Sequence, residues 1–239
     1  FMTLFAKDFR KYAREALKEY WKIAILTGII VVLLGGESIE VSNGIELVWH
    51  FESGISIESV FMKPYMISIK DRVYVFLMLY LIFKEILHLI FGGVISLGYA
   101  KFNLSMIDKT EPKMIDIFSQ FHRFGSTVCL TLLRKAMVIF WSSLFLIPGI
   151  IASLNYSMAH YILFENPEMT AMEALRESKM LIKGHRFKLL CLKLSFLGWE
   201  ILSIVTLGLG DLIIRPYAET SIAVFYREIV KEKESLAFP

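Results

Sequence analysis

Three ionisable side chains interrupt long apolar stretches of the sequence: Lys101, His160 and Glu219. A charge at the centre of a membrane helix costs at least about 2.5–3.5 kcal/mol on insertion scales, so such residues are candidates for binding a substrate or moving protons. The alternative is a structural polar clamp between helices, with a contribution nearer about 1 kcal/mol. The residue types therefore predict either a substrate or proton site or a clamp.

Each of these side chains follows a tyrosine by two to four residues; the tyrosines are Tyr99, Tyr156 and Tyr217. Lys101 and Glu219 hold the same position after their tyrosines, which places them at equal depth on related helices. We expect these two residues to face the interior of a helix bundle and to interact. His160 is expected to join them from a third related helix.

Further candidates lie in the same apolar runs. Glu200 is expected two to three turns inside the outer boundary, with Arg215 as its partner. A secondary trio interrupts the longest run and consists of Lys84, Glu85 and His88. As one helix, residues 73–107 would be roughly 50 Å long, which exceeds a hydrocarbon core of roughly 30 Å. The trio is therefore expected at or above the outer surface; in the other register it would lie mid-membrane.

No motif for catalysis is present in the sequence. It contains no HExxH or GxSxG pattern and no phosphate-binding loop, and its five histidines are scattered. We therefore predict no catalytic residues, no metal site, no cofactor and no enzymatic activity. The net charge of +3 is too small to indicate nucleic acid as a partner.

The composition indicates the elements that must hold these residues. Of 239 residues, 56% are hydrophobic and 21% are charged, and the mean hydropathy is +0.57. A soluble domain of this size cannot bury so much apolar surface. The composition excludes an ordinary soluble enzyme, a disordered chain and a secreted disulfide scaffold. It predicts a single all-α domain, residues 1–239, that spans a membrane several times.

Hydropathy and charge placement predict the topology. About six spans are expected, at 21–36, 73–107, 132–147, 150–164, 187–206 and 212–226. Pro148-Gly149 and residues 207–211 are expected to form the turns of two hairpins. Lysine and arginine are concentrated in the N-terminal 22 residues, in connectors 108–131 and 165–186, and in the tail. The positive-inside rule then places both termini and both amphipathic connectors in the cytoplasm, and loop 37–72 outside.

Two parts of the sequence resemble each other, which suggests an internal repeat. Glu111-Pro-Lys-Met114 leads to His122-Arg-Phe124, and Asn166-Pro-Glu-Met169 leads to His185-Arg-Phe187. Each is followed by an outgoing helix, a turn and a returning helix with an early tyrosine. A third, looser copy precedes them, so we expect three hairpin units. Shared membrane composition alone is the alternative explanation.

The second connector carries helix boundaries that can be identified locally. Thr170 and Glu173 form a capping box, and Gly184 suits the left-handed position after the last turn. The helix is expected either to lie along the cytoplasmic membrane surface or to pack on the bundle.

Several segments together resemble a known family. They are Gly98-Tyr-Ala-Lys-Phe102, Leu146-Ile-Pro-Gly-Ile-Ile151, Tyr156-Ser-Met-Ala159, Lys183-Gly-His185, Leu194-Ser-Phe-Leu-Gly-Trp199, Pro216-Tyr-Ala-Glu-Thr220 and Phe225-Tyr-Arg227. They resemble, over roughly residues 85–230, a bacterial integral-membrane family known as domain of unknown function nine hundred and seventy-five. The family is distantly similar to the membrane domain of glycerophosphodiester phosphodiesterases. The resemblance implies a multi-pass fold in the bacterial plasma membrane, and it implies no reaction. Glu200 departs from the apolar or aromatic residue expected after Trp199.

The sequence favours two functions, and it gives little support to a third, a membrane enzyme that acts on lipid. The first is a non-enzymatic module that binds or handles lipid, or that scaffolds a membrane partner. The second is a small permease that uses the Lys101, His160 and Glu219 layer. The expected partners are membrane lipids and a membrane protein or a second copy of the chain.

Overall fold

The computed structural model describes residues 5–33, 69–205 and 210–237, and within these ranges the chain is entirely helical. The α-helices are α1 (Ala6–Leu17), α2 (Trp21–Leu33), α3 (Ile69–Ile107), α4 (Phe124–Leu144), α5 (Leu146–Asn155), α6 (Ala159–Glu165), α7 (Ala171–Ile182), α8 (Arg186–Val205) and α9 (Asp211–Ala237). Two 3-10 helices, Met114–Phe118 and Phe121–Arg123, precede α4. The predicted all-α class is therefore confirmed for the described residues. Loop 37–72 lies largely outside them.

Helix α1 is amphipathic and packs on α9. Phe9, Ala13 and Leu17 recur every four residues, so they form one stripe, and all three are buried. The ring of Phe9 meets that of Phe225 edge-on, with centroids 5.1 Å apart. The apolar face of α1 is thus covered by protein, while its polar face stays exposed.

Helix α3 has two halves with different surroundings. Its 39 residues make a helix about 58 Å long. Every residue from Gly92 to Ala100 is buried. Before this point large apolar side chains are exposed, among them Phe76, Leu79, Tyr80, Ile82, Phe83, Ile86 and Phe91. The second half therefore crosses a protein core, whereas the first half presents apolar groups outward.

The first connector packs against α3. A Cβ on Gly98 would lie only 2.2 Å from the carbonyl oxygen of Ile117. Ile117 is fully buried in the 3-10 helix Met114–Phe118. The absent side chain of Gly98 is what lets the two backbones touch.

The hairpin of α4 and α5 turns earlier than predicted. The chain reverses at Phe145, whose backbone is extended with φ −160° and ψ 151°. Pro148 and Gly149 lie in the first turns of α5, and the expected turn at these residues is wrong. Proline needs no backbone N–H in the first helical turn, so Pro148 marks the start of a helix here.

The returning segment 150–164 is broken, where one helix was predicted. Helix α5 ends at Asn155 and α6 begins at Ala159. The hydroxyl of Ser178 donates to the Asn155 carbonyl oxygen at 2.7 Å and accepts from the Met158 amide at 3.2 Å. Ser178 of α7 thus satisfies backbone groups that the break leaves open.

The boundaries of α7 are confirmed. The Thr170 hydroxyl accepts from the Glu173 amide, the Glu173 carboxylate accepts from the Thr170 amide, and Gly184 has φ +97°. Hydrogen bonds from the backbone and hydroxyl of Thr170 lower the pKa of Glu173. One face of α7, which includes Ala174 and Leu175, is buried against the bundle. The expected packing of α7 on the bundle is therefore observed, and its place relative to the membrane surface stays a prediction.

The membrane character of the described helices is uneven. One helical stretch, Met114–Leu144, is long and apolar enough to cross a membrane, and Trp21–Val31 is apolar but shorter. Within the described ranges no other helix meets both criteria. The six spans and the position of both termini in the cytoplasm stay predictions.

Candidate functional site

A buried polar layer joins α3 to α9. The Thr220 hydroxyl donates to the Asn103 side-chain oxygen at 3.2 Å, and the Asn103 amide donates to the Tyr99 carbonyl at 3.0 Å. The single proton of the Thr220 hydroxyl is shared with the carbonyl oxygen of Pro216, which lies 2.7 Å away and one turn earlier in α9. Glu219 is 7% exposed and belongs to the same layer. Of these bonds, the one between Thr220 and Asn103 links the two helices, and it does so in a low-dielectric interior where a hydrogen bond is stronger.

The Tyr99 hydroxyl lies at the centre of this layer. The side chain is 3% exposed, and its hydroxyl has no hydrogen-bond partner within 3.5 Å among the described residues, although the Asn103 side chain lies close enough to act on it as a donor. Glu219 and Arg215 both act on it electrostatically. A Cβ on Gly28 of α2 would lie 3.9 Å from the hydroxyl oxygen. Because buried hydroxyls nearly always find a partner, this one can accept or donate a bond to a small bound group.

The ion pair of Lys101 is with Asp116, not with Glu219 as expected. The ammonium nitrogen lies 2.6 Å from Asp116 Oδ1 and 3.3 Å from the Ser119 hydroxyl. Asp116 reaches Lys101 because Gly98 admits the 3-10 helix to the surface of α3. Lys101 is therefore half-buried between α3 and the first connector. Equal spacing after a tyrosine did not bring Lys101 and Glu219 together as a pair.

His160 also has a partner other than the expected one. Its Nδ1 lies 3.4 Å from the Arg134 guanidinium on α4, and its ring is buried. The next residue, Tyr161, stacks on Tyr226 with centroids 5.1 Å apart and interacts electrostatically with Glu219. Helix α6 therefore reaches Glu219 through Tyr161.

The three repeat tyrosines have different neighbours. Tyr99 and Tyr156 are buried, and Tyr217 is half-buried. The Tyr217 hydroxyl donates to the Arg10 carbonyl at 3.1 Å, and the Arg14 guanidinium carbon lies 6.0 Å from its ring centroid. Tyr217 therefore fixes α1 to α9 by a hydrogen bond and a cation–π contact.

Four candidates lie on helices whose side chains are not described at these positions: Lys84, Glu85, His88 and Glu200. Their depth and partners stay predictions, as does the Glu200–Arg215 pair. Arg215 itself is half-buried on α9.

A polar network that the sequence did not predict joins the end of α3, the end of α6 and the middle of α9. Arg227 donates to both carboxylate oxygens of Asp108, through Nε at 3.0 Å, and to Glu165. Tyr226 donates to the other Glu165 oxygen. Burial works against the charge of Arg227, but its hydrogen bonds to Asp108 and Glu165 raise the pKa of the guanidinium. A signal existed, because Asp108 and Glu165 each lie nine residues after a repeat tyrosine.

A basic cleft lies on the exposed face of α1. It has a volume of about 560 Å³ and is lined by Lys7, Asp8, Lys11, Arg14, Glu15, Lys18 and Trp21. Ligand sites commonly measure about 300–1,000 Å³. Four cations and two carboxylates leave a net charge of +2 at the cleft. Lysine stems and an indole ring beside ammonium groups suit a phosphate ester that carries an apolar tail.

An apolar surface surrounds the hairpin of α4 and α5. Its exposed large side chains are Leu132, Ile139, Phe140, Trp141, Leu144, Phe145, Ile147, Ile150 and Ile151. No three His, Cys, Asp or Glu side chains in the described ranges lie close enough together to bind a metal ion.

Comparison with known proteins gives one match. The model of a family described as "Protein of unknown function (DUF975)" matches residues 144–233, from the end of α4 into α9. The resemblance found in the sequence is thereby supported over these residues. No curated protein and no solved structure matches the chain.

Proposed function

We propose that this chain is an integral protein of the bacterial plasma membrane that binds anionic lipid at its cytoplasmic surface. It acts as a non-enzymatic module that handles lipid or holds a membrane partner or a second copy of itself. The observation that carries the proposal is the basic cleft on α1, a helix whose apolar face is buried against the bundle. The likeness to the membrane domain of glycerophosphodiester phosphodiesterases adds no activity to this proposal.

The exposed apolar surface supports the membrane location. In the apolar window of Met114–Leu144 only 17% is buried by the protein. A core helix of a soluble protein would be mostly covered by its neighbours, so this helix needs another apolar environment. Trp141, Phe140 and Phe145 are exposed together near the end of α4.

The anchoring of α1 supports lipid binding at the cleft. Phe9, Ala13 and Leu17 contact the protein core, and the lysines of α1 lie on the opposite, exposed face. Trp21 at the start of α2 lies 6.5 Å from Tyr217, ring to ring. Indole rings favour the membrane–water boundary, and lysines there attract anionic headgroups.

The network around Arg227 supports three returning segments that end on one side. Asp108 follows α3, Glu165 ends α6, and Arg227 lies in α9. Residues from three separate parts of the chain thus meet in one set of ion pairs. This agrees with three hairpins that return to the cytoplasm.

Native mass spectrometry with added lipid tests the proposal. Phosphatidylglycerol and phosphatidylcholine with identical acyl chains are compared on the wild type and on a triple variant, Lys7→Gln, Lys11→Gln and Lys18→Gln. Each lysine contributes about 1 kcal/mol beside an anionic surface, so affinity for phosphatidylglycerol should fall by up to on the order of 100-fold.

The control variant neutralises three other lysines, Lys179→Gln, Lys183→Gln and Lys231→Gln, all of which are exposed. It should retain phosphatidylglycerol as the wild type does. Equal loss in both variants, or equal affinity for the two lipids, would contradict a site at α1. The same spectra report the stoichiometry and any co-purifying partner.

A second candidate function is the small permease that the sequence predicted from Lys101, His160 and Glu219, now centred on the buried layer of Tyr99, Asn103, Thr220 and Glu219. The observation that favours it is the Tyr99 hydroxyl, which is buried beside Glu219 without a hydrogen-bond partner in the described residues. In reconstituted vesicles the wild type should dissipate an imposed pH gradient faster than Glu219→Gln. Equal rates would remove this candidate.

A further inference from the structure

We propose that the hairpin of α4 and α5 does not cross the membrane, but enters it from the cytoplasmic side and turns inside it at Phe145. Its exposed apolar side chains then contact the acyl chains of the cytoplasmic leaflet. This inference rests on the proposed membrane location, and it reduces the expected spans from six to four. It concerns how the chain meets lipid, and it is independent of the cleft on α1.

The returning arm is too short to cross. Helix α5 has 10 residues, and at 1.5 Å per residue it rises about 15 Å. A hydrocarbon core is about 30 Å thick, so α5 covers half of it. To cross the membrane, the returning arm would need α5 to continue through the hydrocarbon. Helix α5 ends at Asn155, and the next helix begins only at Ala159.

Asn155 lies among groups that belong in water or headgroups. Its side-chain oxygen accepts from Arg186 at 2.7 Å. His185, which directly precedes Arg186 in the sequence, lies 4.0 Å from Glu232 in the charge-rich end of α9. Ser178 of α7 bonds the Asn155 carbonyl, and the exposed face of α7 carries Arg176 and Lys179. Sinking Asn155 to mid-membrane would carry these charges into hydrocarbon, which is unfavourable.

The outgoing arm gives the same height. Arg134 of α4 contacts His160 at the base of the hairpin. Leu144, the last residue of α4, follows ten residues later, which again corresponds to about 15 Å of helix. Lys135 lies beside Arg134, so two cations mark the level at which α4 leaves the headgroup layer. Cations at this level match the anionic headgroups of the cytoplasmic leaflet.

The tip of the hairpin is apolar. Phe145 is 73% exposed and Ile147 is 70% exposed. No Asp, Glu, Lys or Arg occurs from residue 136 to 164. A tip that reached the outer surface would expose these side chains to water, whereas a tip at the bilayer centre places them among acyl chains. The backbone at the turn is covered in part, since the Phe145 amide donates to Trp141 and its carbonyl accepts from Gly149.

Cysteine labelling tests the position of the tip. Phe145→Cys is made in a background with Cys129→Ser and Cys191→Ser, and a membrane-impermeant maleimide is applied to right-side-out and to inverted membrane vesicles. We expect no labelling of position 145 from either side and full labelling after detergent is added. The control Lys183→Cys, at an exposed position, should label only in inverted vesicles.

Labelling of position 145 from outside would overturn the inference and restore a span, and labelling from the cytoplasmic side would overturn it by placing the tip in water. If both positions label in a fraction that contains no membrane, the membrane proposal itself fails, so the two failures are distinct.

Fluorescence of Trp141 provides a second measurement that leaves the hairpin unchanged. Trp21→Phe, Trp49→Phe and Trp199→Phe leave Trp141 as the sole indole. Lipids brominated near the ends of their acyl chains should quench it more strongly than lipids brominated near the headgroup. Stronger quenching by the shallow bromines would place Trp141 near a surface and overturn the inference.

Discussion

Replacing Gly98 by alanine should separate the first connector from α3. The added Cβ would lie 2.2 Å from the Ile117 carbonyl oxygen and 2.6 Å from its carbonyl carbon and Cα. These atoms belong to the backbone of a buried segment, so a side-chain rotation cannot relieve the clash. Overpacking of this kind costs about 1–3 kcal/mol.

Gly125→Ala supplies a matched control. A Cβ on Gly125 would meet no atom within 4 Å, and the residue lies in α4. Alanine is favoured over glycine in a helix by about 1 kcal/mol, and both variants gain from this preference. Gly98→Ala should therefore be about 1–3 kcal/mol less stable than Gly125→Ala.

The assay is thermal unfolding in one detergent at one scan rate, because membrane proteins often unfold irreversibly. For a chain of this size 1 kcal/mol corresponds to roughly 2–4 °C. The midpoint of Gly98→Ala should thus lie about 2–12 °C below that of Gly125→Ala. Equal midpoints would show that residues 114–118 do not touch α3 at Gly98, and the partner given to Lys101 would lose its basis.

Three further substitutions test other contacts by the same assay. Ser178→Ala should lower the free energy of unfolding by about 1–3 kcal/mol for each backbone group that loses its partner. Ser195→Ala is the control and should lower it by less, because the Ser195 hydroxyl donates to the Leu192 carbonyl of its own helix. Equal losses would contradict a role of Ser178 in bridging the break after Asn155. Tyr99→Phe should leave the midpoint unchanged or raise it, because the lost hydroxyl makes no hydrogen bond in the described residues; a clear drop would reveal a bound partner. Arg227→Gln should lower the free energy of unfolding by about 1–2 kcal/mol, because its partly buried ion pairs hold two carboxylates. Lys233→Gln, which removes the exposed pair with Glu177, should lower it by less than about 1 kcal/mol. A larger loss for Lys233→Gln than for Arg227→Gln would refute the role given to Arg227.

The features that the sequence predicts correctly depend on local interactions. The capping box of Thr170 and Glu173 needs only residues three apart, and the left-handed Gly184 needs only the absence of a Cβ. The burial of Tyr99, His160 and Glu219 follows from their position in apolar runs. Each of these statements can be made without knowing which helices are neighbours.

The features that escaped prediction depend on distant contacts. Lys101 pairs with Asp116 because a glycine three residues earlier admits another segment. The break after Asn155 has no proline or glycine to mark it, and Ser178, which is 23 residues away, stabilises it. The six predicted spans stay untested by the described helices, of which one helical stretch is long and apolar enough to cross a membrane.

The central claim is that this chain is embedded in the membrane through its exposed apolar surface. Extraction of bacterial membranes with alkaline carbonate tests it most directly, because this treatment releases peripheral proteins and leaves embedded ones in the pellet. We predict that the chain stays in the pellet and enters the supernatant only when detergent is added. Complete release by carbonate alone would contradict the claim.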